Sequence, residues 1–342
     1  MTEYQTGGIF FLAVLVWPWP VMLPVVAIMT QPWKHGGGFL PASYVKWVEM
    51  AGALAIPLLY SASDHEVDSI FQQVNGVLLP GGDAAIGGTA RRILRLATEA
   101  NRRGIFFPVW GTCDGFQWML QACAGEDSIL TDGFVSSNVS WPLNLTAAAR
   151  SSRLLKPATT LSIPFAQPPI TLIEALGSRA LTFNSHHMGV TPIDFERSTL
   201  KDAFQVLATD VDEHGRSFIS LVEAKAMPFW GSQFHPEKNI FETGFFDSGA
   251  PFERINHSNA AVVMSQYFAN FFVEQCRKSK NRFMSATELK GRLFYQARAR
   301  SWSSPGFVQS YYFDRHGTPV MDSFVLELAP QGSTVAHEHT VA

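Results

Sequence analysis

The stretch Pro108-Val109-Trp110-Gly111-Thr112-Cys113-Asp114-Gly115-Phe116 constrains this chain more than any other. An apolar run over 105–110 breaks at Gly111, passes through Cys113 and Gly115, and resumes at Phe116, Trp118, Met119 and Leu120 with helical spacing. That is the pattern of a strand, a sharp turn and a helix, with a nucleophilic side chain on the turn. The flanking glycines let backbone approach where side chains would collide. A helix starting just past the cysteine aims its N–H groups and positive dipole end at the sulfur, which favours thiolate over thiol. The same pattern also fits a buried structural cysteine, so it acquires meaning only from partners.

Two partners stand elsewhere in the chain. Phe229-Trp230-Gly231-Ser232-Gln233-Phe234-His235-Pro236-Glu237 is a second apolar strand, ending in a histidine with a carboxylate two residues on. Pro236 forces an extended backbone at His235, so His235 and Glu237 face the same side. With Cys113 they supply nucleophile, base and orienting carboxylate. Gly76-Val77-Leu78-Leu79-Pro80-Gly81-Gly82-Asp83 is a third strand, running into a turn whose backbone can come close to a ligand. The N–H groups of Gly82 and Asp114 are the expected donors to a developing oxyanion.

The spacing predicts strands over 25–30, 53–60, 77–79 and 105–110. They alternate with a helix between Pro41 and Gly52, one opened by a capping box of Ser63 and Glu66, and one over 89–103 stopped by Gly104. The segment 34–39, with three glycines, reads as a loop. Residues 204–209 and 218–222, joined by a turn at Gly215, read as an antiparallel pair leading into the His235 strand. Ser258 caps a last long helix with Ala261, Met264, Phe268, Phe271 and Phe272 on its core face. The expected fold class is therefore α/β: a doubly wound, mostly parallel sheet with helices on both faces and ligands at the strands' carboxyl ends.

The cysteine elbow, the Pro-Gly-Gly strand and Phe-His-Pro-Glu resemble the class I glutamine amidotransferase superfamily, a flavodoxin-like three-layer sandwich. Within it the chain is similar to the gamma-glutamyl hydrolases. That likeness rests on Ile28-Met29-Thr30-Gln31-Pro32-Trp33, Ala42-Ser43-Tyr44-Val45-Lys46-Trp47-Val48-Glu49, Asn75 to Gly82, Pro108 to Cys113, Pro142-Leu143-Asn144-Leu145-Thr146 and Gln233 to Lys238. Phe294-Tyr295-Gln296 and Tyr312-Phe313-Asp314 are similar to that family's closing segment. The resemblance implies a cysteine-type omega peptidase with Cys113, His235 and Glu237 catalytic, no cofactor, and a small-molecule poly-γ-glutamate substrate, above all that of folates. It also implies that His186, Gly81 and Tyr44 contact substrate. Two positions depart from the family: Asp114 stands where an aliphatic residue is usual, and Gln117 where a glutamate is. A carboxylate turned towards the thiol would oppose its ionisation, so Asp114 is expected to point outward or to meet a cation. Rival readings are a glutaminase or small γ-glutamyl-amine hydrolase of the same fold, and a catalytically weak γ-glutamyl binding protein.

The likeness implies a hydrolase domain over 25–314, between an N-terminal segment 1–24 and a poorly ordered tail 315–342. An apolar run at 9–17 has signal-peptide length, though Glu3 precedes it without Lys or Arg. Sequons at Asn138, Asn144 and Asn256 agree with a secretory route and hence a lysosomal, vacuolar or extracellular enzyme, a cytosolic one being the alternative. A net charge of -3 gives no electrostatic case for nucleic acid or an anionic membrane surface. Cys113, Cys123 and Cys276 have no metal-binding spacing, and buried free thiols are the expected state. The pair His186-His187 lacks a third ligand, His337-Glu338-His339 reads as surface, and Gly36-Gly37-Gly38 lacks the pattern of a phosphate loop. A homodimer is left open.

Overall fold

The computed structural model describes residues 23–304 and 307–320. The apolar run 9–17, most of segment 1–24, most of the tail and His337-Glu338-His339 lie outside the described residues.

One eight-stranded sheet organises the chain in the order Leu54–Leu58, Val25–Met29, Gly76–Leu79, Val109–Thr112, Phe229–Ser232, Ser217–Ala224, Phe204–Val211 and Asn144–Leu145. The first four junctions are parallel and the last three antiparallel. Alternate side chains of the buried strands feed two separate cores, as a period of two requires. Val26 and Ile28 pack with Trp47, Trp110, Phe268 and Phe272 on one face. Val25, Ala27 and Met29 pack with Ile70, Ile93 and Phe116 on the other. Helices Ala42–Met50 and Asn259–Cys276 cover the first face. Helices Asp64–Gln73, Gly88–Arg102 and Asp114–Ala124 cover the second. This is the doubly wound, mostly parallel arrangement expected from the sequence.

Local signals held where they were strong. Ser258 accepts from Ala261 N, and Ala261, Met264, Phe268 and Phe272 are buried. Cys123 and Cys276 are free. Three expectations need correction. The strand expected over 105–110 begins at Val109 and runs to Thr112. Asn101 instead bonds both Phe107 N and Phe107 O, Pro108 has no N–H for a ladder, and Ile105 is exposed. Ser63 accepts from Glu66 N, but the reciprocal box is at Thr171 and Glu174. Part of the glycine loop is a strand, Gly38–Pro41, in a second antiparallel sheet with Gln31–Pro32, Phe307–Phe313 and Arg300–Ser304. Its glycines permit close backbone contact: a Cβ on Gly37 would stand 2.1 Å from Phe313 O.

Candidate active site

Four parallel strands end at one edge of the main sheet, and each delivers a residue there. Gln31 follows Val25–Met29, Gly81 and Gly82 follow Gly76–Leu79, Cys113 follows Val109–Thr112, and His235 follows Phe229–Ser232. Such an edge is where α/β sheets bind ligands.

Cys113 joins its strand directly to helix Asp114–Ala124 with φ 51° and ψ -110°, a left-handed conformation that costs a non-glycine residue roughly 1–3 kcal/mol. Its neighbours hold it there. Cys113 N donates to Ser232 O at 2.8 Å, Gly115 N to Pro80 O at 3.0 Å, and Gln117 N to Cys113 O at 3.0 Å. A Cβ on Gly111 would lie 2.7 Å from Gly115 O, and one on Gly115 2.2 Å from Leu79 O. Both glycines are therefore required by close approach. The sulfur lies 3.9 Å from Ser185 O and borders a cavity of about 490 Å³.

His235 is buried, and its Nδ1 bonds Glu237 Oε1 at 2.8 Å, which leaves Nε2 for the thiol. Burial alone would push the imidazole down. Electrostatic attraction and hydrogen bonding to Glu237 and Cys113 outweigh it and raise the group to about 10. The ring is thus cationic at neutral pH, beside the sulfur. Glu237 is fully buried, with Oε2 carrying no bond among the described residues.

The structure separates the other expected site residues into two groups. Gly82, Asp114 and His186 line the cavity with Cys113. Tyr44 and Gly81 lie outside its lining, against His235. The Tyr44 hydroxyl accepts from Gly81 N at 2.7 Å and lies 3.3 Å from His235 Nδ1. Burial, then electrostatic repulsion from the side of Glu237 and Cys113, hold this phenol well above its usual range, so it stays neutral. A Cβ on Gly81 would fall 2.6 Å from His235 Cε1 and 3.1 Å from Cys113 Cβ. Because Tyr44 takes the Gly81 N–H, that group is spent. The N–H groups of Gly82 and Asp114 carry no bond among the described residues. Tyr44→Phe should leave the Gly81 N–H unpaired in the interior, lowering stability by ~1–3 kcal/mol and kcat about tenfold at unchanged KM. Thermal unfolding and steady-state kinetics on one preparation check both; a variant as stable and as fast as the parent would refute this role.

His186 is buried, its Nδ1 bonds Met188 O at 2.9 Å, and its Nε2 has no partner among the described residues. Burial pushes it down to about 4, so it is a neutral ring with an acceptor nitrogen. The exposed His187 bonds Asp132 at 2.8 Å and Asp83 at 3.4 Å and is raised, chiefly by Asp132. Gln117, where a glutamate was the usual residue, donates to Met188 O at 2.9 Å and to Gln233 Oε1 at 3.2 Å.

Asp114 requires a correction. It neither points outward nor meets a cation: it is 7% exposed and its Oδ2 accepts from Ala84 N at 3.1 Å and Gln31 Nε2 at 3.2 Å. Gln31 was not singled out from the sequence as a site residue. It also donates to Gly81 O at 3.2 Å and packs flat on Gly82, where a Cβ would come 2.1 Å from Gln31 Cδ. Its position just past a parallel strand's carboxyl end was the available signal. Of the sequons, Asn144 Nδ2 donates to Thr209 Oγ1, Asn256 Nδ2 to Ala180 O, and Asn138 Oδ1 accepts from Arg254 N. Among the described residues no helix is long and apolar enough to cross a membrane.

The family profile for glutamine amidotransferase class-I matches residues 49–244. Gamma-glutamyl hydrolase B of Dictyostelium discoideum is 36% identical over 285 residues, covering 80% of this chain and 77% of that protein. Gamma-glutamyl hydrolase of Mus musculus is 33% identical over 304 residues, 85% of this chain and 90% of that one. Gamma-glutamyl hydrolase 1 of Arabidopsis thaliana is 30% identical over 304 residues, 85% and 82%.

Proposed function

The chain belongs to the class I glutamine amidotransferase family and is an enzyme of the gamma-glutamyl hydrolase type; from that premise we propose that Cys113 cleaves γ-glutamyl amide bonds through a thioester, with folylpoly-γ-glutamates as substrate. The observation that carries this is one cavity lined by Cys113 and by Gly82 and Asp114 with their unspent N–H donors, and His235, paired to Glu237, interacting with the Cys113 sulfur.

The sulfur attacks the side-chain carbonyl carbon, forming the C–S bond as the carbonyl π pair moves to oxygen. The Gly82 and Asp114 N–H groups receive that oxyanion, each worth on the order of a hundredfold in turnover. The His235 imidazolium protonates the departing amine as the C–N bond breaks, leaving a γ-glutamyl thioester and a neutral ring. The same nitrogen then takes a proton from water as the water oxygen attacks the thioester carbonyl carbon; the C–S bond breaks with its electron pair returning to sulfur, and the cationic ring beside the sulfur is restored. Glu237 keeps the ring in the required tautomer, and Tyr44 holds Gly81 and the ring edge in place. His186 Nε2 accepts from a substrate N–H. No step needs a cofactor or a metal. A secretory route to a lysosomal, vacuolar or extracellular site, glycosylation at the sequons and a single hydrolase domain over 25–314 belong to the same reading.

A second reading, hydrolysis of small γ-glutamyl amines, is favoured by one observation: the described lining of the cavity contains no Lys or Arg to meet a polyanionic tail. Mass spectrometry of products from a pteroyl poly-γ-glutamate, glutamine and a γ-glutamyl amine ranks the two. Shortened folates are expected. Turnover of the small amides alone would move the assignment to the second reading.

A further inference from the structure

A carboxyl group that meets no strong cation, buried one residue from the nucleophile, needs an account. Both hydrogen bonds that Asp114 makes among the described residues fall on Oδ2, from Ala84 N and Gln31 Nε2. A proton on this carboxyl is therefore placed on Oδ1, which makes no hydrogen bond among the described residues, in a side chain that lines the cavity. The other charges around it do not supply a counter-ion. Asp83 stands on the same loop as Ala84, and Asp127 is held by both oxygens to Arg91 at 2.7 Å. The His187 ring is bonded to Asp132 and Asp83, His186 is neutral, and the His235 cation is engaged by Glu237 and Cys113.

We propose that Asp114 serves the site as a carboxylic acid, its Oδ1–H donating to a carboxylate of the bound γ-glutamyl substrate. This rests on the polyglutamate reading above and explains how a cavity without Lys or Arg in its described lining accepts an anionic tail. An ionised Asp114 would repel that tail and set a second negative charge beside the Cys113 sulfur; the acid form does neither and adds a donor. Burial is the main influence on the group. It outweighs the Ala84 N–H and the Gln31 amide, is reinforced by Asp83 and weakly opposed by His187, and leaves the carboxyl at about 7. Asp114 is thus a specificity residue whose donor is withdrawn as pH rises through neutrality.

Calorimetric binding of linear tri-γ-glutamate to the Cys113→Ala chain tests this without turnover, at pH 6 and pH 8 in buffers of differing ionisation heat. At pH 8 binding should take up close to one proton and be ~tenfold weaker than at pH 6, the ratio that a group titrating near 7 gives. Adding Asp114→Asn should abolish the uptake and make affinity equal at the two pH values, because the amide accepts from Ala84 and Gln31 and donates to the cavity at any pH. Adding Asp114→Leu should abolish the uptake and weaken binding at both. Binding without proton uptake, lost on Asp114→Asn, would mean that the carboxylate holds a substrate cation; that overturns the proposal and leaves γ-glutamyl hydrolysis standing. No binding at either pH would remove the polyglutamate reading and the proposal with it.

Discussion

Cys113→Ala is expected to reduce hydrolysis of γ-glutamyl substrates by at least ~10⁴-fold, the scale on which nucleophile removal acts in enzymes built on such a triad. The expected loss is in kcat, because the substitution deletes the bond-forming atom. It leaves the cavity, the oxyanion donors and His186 unchanged. The folded state should change little, since alanine can hold the same backbone and the Cys113 N to Ser232 O bond remains. Rapid-quench mass spectrometry of the parent enzyme should show a covalent γ-glutamyl adduct on the peptide carrying Cys113. An adduct elsewhere, or a tenth of parental activity in the variant, would remove Cys113 from the chemistry.

Gly115→Ala should be the most damaging single substitution to the fold of the site. Its Cβ would stand 2.2 Å from Leu79 O and 2.4 Å from Leu79 C, and neither atom is the end of a flexible side chain. Relief requires parting helix Asp114–Ala124 from strand Gly76–Leu79, which breaks the Gly115 N to Pro80 O bond and moves the backbone of Gly81 and Gly82. A loss of about 3 kcal/mol or more follows from overpacking and the lost bond together. Gly88→Ala is the matched control: a Cβ there meets nothing within 4 Å, and alanine is the better helix former, so its effect should stay within about 1 kcal/mol. Urea unfolding of the two variants gives the comparison, and equal midpoints would show that the close approach does not bear on stability.

The contrast between Gly115 and Asp114 shows what one dimension carries. The elbow, the strands at Val25, Gly76 and Phe229 and the helix capped at Ser258 were legible because each is set by neighbours within a few residues. So was the alternation that implies a parallel sheet, since apolar periodicity records which side of an element is buried. The fate of 34–39 was not legible, because what makes Gly38–Pro41 a strand is its partner Phe307–Phe313. Nor was the false start of the strand at Ile105, decided by the side chain of Asn101 in the preceding helix. At the site, Cys113, His235 and Glu237 stood out by residue type and by their place at strand ends. Tyr44 and Gly81 were expected at the substrate and stand against His235, a difference that depends on which side of Cys113 a side chain reaches. Asp114 was misplaced because its environment is built by Gln31 and Ala84 from two other strand ends.

The pairing of Gly38–Pro41 with Phe307–Phe313 also ties the site to a segment far along the chain. Pro41 caps the helix that carries Tyr44, and Tyr44 positions Gly81 and the edge of His235. Cys113, His235 and Glu237 all lie earlier in the chain than Phe307–Phe313, yet that strand braces the element leading into the Tyr44 helix. Substitutions that weaken the Phe307–Phe313 pairing are therefore expected to loosen Tyr44, Gly81 and the His235 edge without touching any of those three side chains.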